Sequence, residues 1–280
     1  MEAASGVELA EFLQHLFLGL VQGSFYVLLA LGLSIIFGLM GIINFGHGVF
    51  YMLGSYVGYT IISLVVAPIL GENVAFIFAL AAVPAIMFGI GMFFEKIIIS
   101  QIYNTENERF RGVLITFGLS IFLPDFVRII WGRPGKSFNI PPMFQWSILE
   151  IGSLNVSAYR TFVVFVAAIL VAMIWFLLFR TNLGMVIRAG TSNNIMVQVL
   201  GINVSKVWRQ TFGLGIALAG FAGVMISPLF AVDPTMGDDI LIQTFIVVVV
   251  GGMGSFIGPV IGGLIIGQLW ALTPLIGRTT

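Results

Sequence analysis

The chain has 280 residues, of which 59% are hydrophobic and 9% charged, with a mean hydropathy of +1.10. An ordinary soluble domain carries about a quarter charged residues, so a water-covered surface is excluded and lipid is the solvent that suits this composition. The formal net charge of +0 gives no basis for a nucleic-acid partner, and the absence of cysteine excludes disulfides, thiolate nucleophiles and cysteine metal sites.

Glu2, Glu8 and Glu11 precede the first apolar run with no Lys or Arg among them, the reverse of a cleaved signal peptide. That run extends from Phe12 to about Phe37. A break rich in glycine follows, Gly38 to Gly48, and a second stretch covers Val49 to Val66. Further stretches lie near 74–94, 112–131, 158–179, 211–231, 240–253 and 257–273, the last two sharing a Gly-rich join. A crossing needs about 20 apolar residues, which predicts about eight spans. The 34 glycines would weaken helices in water, but in lipid small residues let helices approach closely.

Sidedness follows from Lys and Arg in the short loops. The segment 180–210 carries Arg180, Arg188, Lys206 and Arg209 with no acid, and 95–111 carries Lys96, Arg109 and Arg111. Both are expected in the cytoplasm, with 68–73, 232–239 and the N-terminus outside. Loop 132–156 must then lie outside although it holds Arg133 and Lys136. Within 180–210, Ile195, Val199 and Ile202 recur at helical spacing, as do Met196 and Leu200, and Gly201 offers a stop. This predicts a short amphipathic helix on the cytoplasmic side.

A broken helix frees backbone groups that cannot stay bare in lipid. Asn44 and His47 either satisfy those groups in a tight interfacial turn or face a polar pathway together with Gly46 and Gly48. A metal is not expected, because His15 is the only other histidine and lies one span away. Gly220 and Gly223, and Gly254, Gly258 and Gly262, recur at spacings that suit close helix crossings. Gly135-Lys136-Ser137 lacks the upstream glycine of a phosphate-binding loop, that place being Ile130, so no ATP site is expected. Asp125 and Arg128 share a helix face near the outer end and read as a local ion pair. Asn155-Val156-Ser157 and Asn203-Val204-Ser205 match the glycosylation pattern by chance.

Three groups of residues resemble the H-type permease of branched-chain amino-acid ABC importers. The first is Leu31-Gly32-Leu33-Ser34, then Ile43-Asn44-Phe45-Gly46-His47-Gly48 and Tyr51-Met52-Leu53-Gly54. The second is Arg188-Ala189, then Leu200-Gly201-Ile202-Asn203-Val204 and Leu218-Ala219-Gly220-Phe221-Ala222-Gly223. The third is Gly251-Gly252-Met253-Gly254-Ser255 with Gly258-Pro259-Val260-Ile261-Gly262-Gly263. The resemblance covers nearly the whole chain, with its blocks in family order. It implies a second permease subunit, two cytoplasmic ATPases and a periplasmic binding protein as partners. It also implies that 188–202 docks into the ATPases, through Arg188, Ala189, Ile195, Val199, Leu200, Gly201 and Ile202. The sequence departs from the family pattern at Ile195 and Val49, where acids are often found, and it stops at Thr280, where members usually continue through one more helix. The expectation is therefore a shortened copy whose end lies outside.

The expected protein is an all-α polytopic permease, one transmembrane domain over 1–280, in the bacterial inner membrane. It moves hydrophobic amino acids and transforms nothing, with no cofactor and with ATP hydrolysed on partner subunits. Urea or short amides are the alternative cargo within the family. A stand-alone channel or secondary carrier, which needs no docking helix, is the alternative of a different class.

Overall fold

In the computed structural model, residues 2–103, 105–152 and 154–276 are described, with side chains from residue 9 onward except those of 194, 195 and 276. The expected outward end at Thr280 lies outside the described residues. Hydrocarbon offers no partner to a free backbone amide, so the apolar stretches close their hydrogen bonds within themselves as helices. Among the described residues, seven helical segments are long and apolar enough to cross a bilayer: Leu9–Met40, His47–Leu70, Glu72–Ile102, Glu108–Trp131, Ala158–Arg180, Val204–Ile226 and Ile257–Leu275. They lie on α1 (Glu2–Met40), α2 (His47–Tyr59, prolonged by a π-helical turn over Thr60–Val66 and by α3, Ala67–Leu70), α4 (Glu72–Ile97), α5 (Glu108–Trp131), α6 (Ala158–Arg180), α9 (Val204–Ile226) and α11 (Ile257–Ile276).

The expected crossing at 240–253 is α10 (Met236–Gly251), with 16 residues the shortest of the set. At 1.5 Å per residue it spans about 24 Å. It is shorter than the seven crossing segments, so the expected count of about eight is met by seven long spans and this short helix, whose first turn packs through Gly237 on Gly48 of α2. It finishes near the turn where Gly254 meets Gly38 of α1.

The crossing segments of α1 and α9 are each 83% buried, against 22–39% for the other five, so these two form the centre and the rest face lipid. α1 lies along α11, and α9 packs on α4 and α2. The small residues make this possible: a Cβ on Gly54 would fall on the Gly220 backbone, and one on Gly267 would fall on Gly23. Gly223 sits against the Tyr51 carbonyl, and Gly258 and Gly262 sit against α10. Gly254, read from the sequence as part of a helical series, lies instead in the turn between α10 and α11 with φ +82°.

The two ends of the bundle sort the loops as the basic residues required. One end joins 95–111 to 180–210 through Glu95 and Arg209, and brings Arg109 beside Gly41, Thr191 and Gly254. The other end joins 132–156 to the loop before α10, through a backbone bridge of Lys136 with Val232. There Met143 N–H also donates to Asn73, and Asn155 N–H to Gln14. Loop 132–156, despite Arg133 and Lys136, thus shares an end with the acidic 232–239 segment. A small antiparallel hairpin, β1 (Ser147–Ile151) and β2 (Leu154–Ser157), lies in this loop, where the sequence reading had only Pro and Trp breaks.

Candidate functional site

The break after α1 re-enters the bundle. Gly41 turns the chain with φ +65°, and residues 41–44 form no regular element. α2 then begins at His47, whose Nε2–H donates to the Leu29 carbonyl at 3.1 Å. Leu29 lies near the middle of the Leu9–Met40 span, roughly 16 Å from its Met40 end at 1.5 Å per residue. The helix therefore starts at membrane depth, not at an interface as a surface turn would.

A helix start leaves backbone N–H groups without intrahelical partners and carries partial positive charge. Asn44 Oδ1 accepts from Gly46 N–H at 3.0 Å. Thr116 Oγ1 of α5 accepts from Phe45 N–H at 3.1 Å while its own proton goes to the Gly112 carbonyl at 2.9 Å. Asn44 and His47 are each 1% exposed, so the break is packed shut in this conformation. Asn44 Nδ2 and His47 Nδ1 nevertheless have no hydrogen-bond partner. The sequence offered a choice between a tight turn capped by Asn44 and a polar pathway; Asn44 closes a local turn on Gly46 N–H but leaves α2, whose N-cap is Gly46, without a side-chain cap, and two buried polar atoms have no partner among the described residues.

The basic segment 180–210 forms two short helices where one was expected, α7 (Asn182–Ser192) and α8 (Asn194–Val199). Asparagine and threonine side chains set the boundaries. Thr181 Oγ1 accepts from Gly184 N–H, Asn193 from Met196 N–H and Asn203 from Lys206 N–H. Asn203, part of a chance glycosylation match, is thus the N-cap of α9. Gly201 ends the segment with φ +79°, the stop that its position predicted. Arg188 and Ala189 are exposed, and the Arg188 guanidinium lies 4.9 Å from the Phe179 ring. Val197 anchors α8 to the body of the protein, while Met196, Val199 (74%) and Leu200 (72%) point outward and Ile202 is half-buried. The side chain of Ile195 lies outside the described residues.

Sequence reasoning missed the group beneath this segment. Glu95, at the end of α4, is fully buried, and its Oε2 pairs with Arg209 Nε at 3.0 Å. Tyr103 O–H donates to Glu95 Oε1 at 2.8 Å, and the Tyr103 ring packs on Trp208 at 4.0 Å. Burial first, and the Glu95 charge second, push the Tyr103 phenol well above its ordinary value. The arrangement fixes the root of α9, hence the short helices before it, to α4. The outer pair behaves as expected: Arg128 Nη1 meets Asp125 Oδ1 at 2.6 Å.

The model of the branched-chain amino acid transport system permease component matches residues 15–279 of this chain. The chain belongs to that permease family. The permease is 32% identical over 270 residues to the high-affinity branched-chain amino acid transport system permease protein LivH of Salmonella typhimurium, covering 94% of this chain and 86% of that protein. It is 32% identical to the permease protein BraD of Pseudomonas aeruginosa, covering 93% and 85%. It is 28% identical to a probable LivH of Methanocaldococcus jannaschii, covering 89% and 76%. No solved structure matches the permease. It is a multi-pass membrane protein and a transport subunit, not an enzyme.

Proposed function

We propose that this permease is one of two pore-forming subunits of an ATP-driven importer for branched-chain or other hydrophobic amino acids in the bacterial inner membrane. Two cytoplasmic ATPases would drive it, and a periplasmic binding protein would deliver substrate to its outer end. The observation that carries this reading is the apolar stripe of Met196, Val199 and Leu200, held outward at the base-rich end by capped helices. An apolar helix face of this kind is buried by a partner's groove. The half-buried Ile202, the Gly201 stop and the exposed Arg188 and Ala189 border the same surface, and Glu95–Arg209 ties it to the bundle.

The break at Asn44, Gly46, His47 and Gly48 serves in this reading as the gate of the translocation pathway. Support comes from its depth, its uncompensated polar atoms and its position against α1, α5 and α10. The experiment on coupling is Val199→Asp, which sets a charge in the stripe without touching the packed body. The ATPases should be lost from affinity-purified permease while the permease stays in the membrane. If the ATPases still co-purify in normal amount and uptake persists, the coupling assignment is wrong, and a carrier that needs no ATPase gains the ground.

A further inference from the structure

A cavity of about 380 Å3 opens toward the outer end between α1, α2, α9, α10 and α11. It reaches down to Tyr26 of α1, near mid-span, and to Tyr51, one turn along α2 from the break. Its volume falls within the range of about 300–1,000 Å3 usual for small-molecule sites. Two carboxylates, Asp233 and Asp239, line it, and no Lys or Arg does among the described residues. Charges at this depth face water or protein rather than lipid.

The carboxylates differ in their commitments. Asp233 Oδ1 is engaged by Thr235 N–H at 2.8 Å and Thr235 O–H at 2.6 Å, which holds the loop before α10. Asp239, in the first turn of α10, makes no side-chain hydrogen bond among the described residues and is free to meet a ligand. Tyr51 supplies an independent sign. It is 3% exposed, lines the cavity, and its hydroxyl makes no hydrogen bond among the described residues. A buried phenol is ordinarily hydrogen-bonded; here the cavity is the side from which a partner can come. Ile240 and Trp270 add apolar wall, and Gln243 adds an amide.

We propose that this cavity is a substrate subsite that receives a free amino acid through its ammonium group. The inference rests on the importer reading above and adds to it a place where the permease itself holds cargo. Asp239 takes the ammonium, with Asp233 adding negative potential behind it. Tyr51 O–H and the Gln243 amide donate to the carboxylate, and the branched side chain lies on Ile240 and Trp270. The site then lies one helical turn from the closed break, where released substrate would wait for the gate.

The test uses the importer complex in nanodiscs with Ala231→Cys, a cavity-lining residue in a chain that has no cysteine. An impermeant maleimide labels it, and leucine uptake by the same variant is measured in proteoliposomes. Leucine at ten times its Kd should slow labelling about tenfold by mass action. 3-Methylbutylamine, which keeps the ammonium, should protect, and 4-methylpentanoate, which lacks it, should not. Asp239→Asn should abolish protection; should that variant fail to accumulate, Tyr51→Phe should weaken protection by leucine and not by the amine. Equal protection by 4-methylpentanoate, or protection retained in Asp239→Asn, overturns the ammonium assignment. Unprotected labelling with uptake intact removes the subsite and leaves the importer reading standing. Loss of uptake in the wild-type complex removes the importer reading itself.

Discussion

Cutting the Glu95–Arg209 pair from its two sides should give unequal losses, because the partners differ in access to water. Arg209→Ala strands a fully buried carboxylate with the Tyr103 hydroxyl as its remaining partner. Uncompensated buried charges of this kind cost about 3–5 kcal/mol. Glu95→Ala instead frees an arginine whose side chain is 34% exposed and can turn to water. The loss is then of charge-assisted hydrogen bonds, discounted for solvent, about 1–2 kcal/mol. Reversible unfolding by SDS in mixed micelles measures both. Equal deficits would refute the claim that a buried carboxylate anchors α9.

Three further outcomes follow from the same geometry. Single cysteines at Ser192 and Thr235 should react with an impermeant thiol reagent from opposite faces of the membrane, and reaction from one face would undo the sidedness. Asn44→Ala should lose about 1 kcal/mol of stability in the SDS assay, the net worth of one hydrogen bond, and Asn44→Ser, which can close a similar turn, should recover part of it; a neutral Asn44→Ala would mean that the bond to Gly46 N–H does not hold the turn before α2. Tyr103 keeps its proton in the folded state well above the pH near 10 at which an unfolded tyrosine releases it. The unfolded state then binds fewer protons, so stability falls as pH rises beyond about 10. Tyr103→Phe should flatten that alkaline fall, seen by thermal unfolding from pH 9 to 11, and an unchanged slope would assign it elsewhere.

The crossing helices were legible because lipid makes hydropathy the deciding term, and the sharing of one end by 95–111 and 180–210 because Lys and Arg concentrate in both. The break was legible too, since Gly41, Asn44, Gly46 and His47 interrupt an otherwise apolar run. Its depth was not, because whether such a break lies at a headgroup or mid-span depends on Leu29 and Thr116 folding against it. Glu95 and Arg209 are 114 residues apart, and each alone reads as an ordinary charge at a helix end. Only the packing of α4 on α9 brings them together. The cavity floored by Tyr26 and Tyr51 is hidden for the same reason: its lining comes from five helices and the loop before α10. Segment 180–210 showed its apolar period but not its division at Asn193, where a side-chain cap restarts the helix.

Uptake of labelled leucine into proteoliposomes tests the central claim most directly. The vesicles would contain this permease, its partner permease and the ATPases, with the binding protein added outside. Accumulation above the external concentration should require ATP within and binding protein without, and it should stop with Val199→Asp. Accumulation by the permease without ATPases, or strict selection of urea over leucine by the complete complex, would contradict the account.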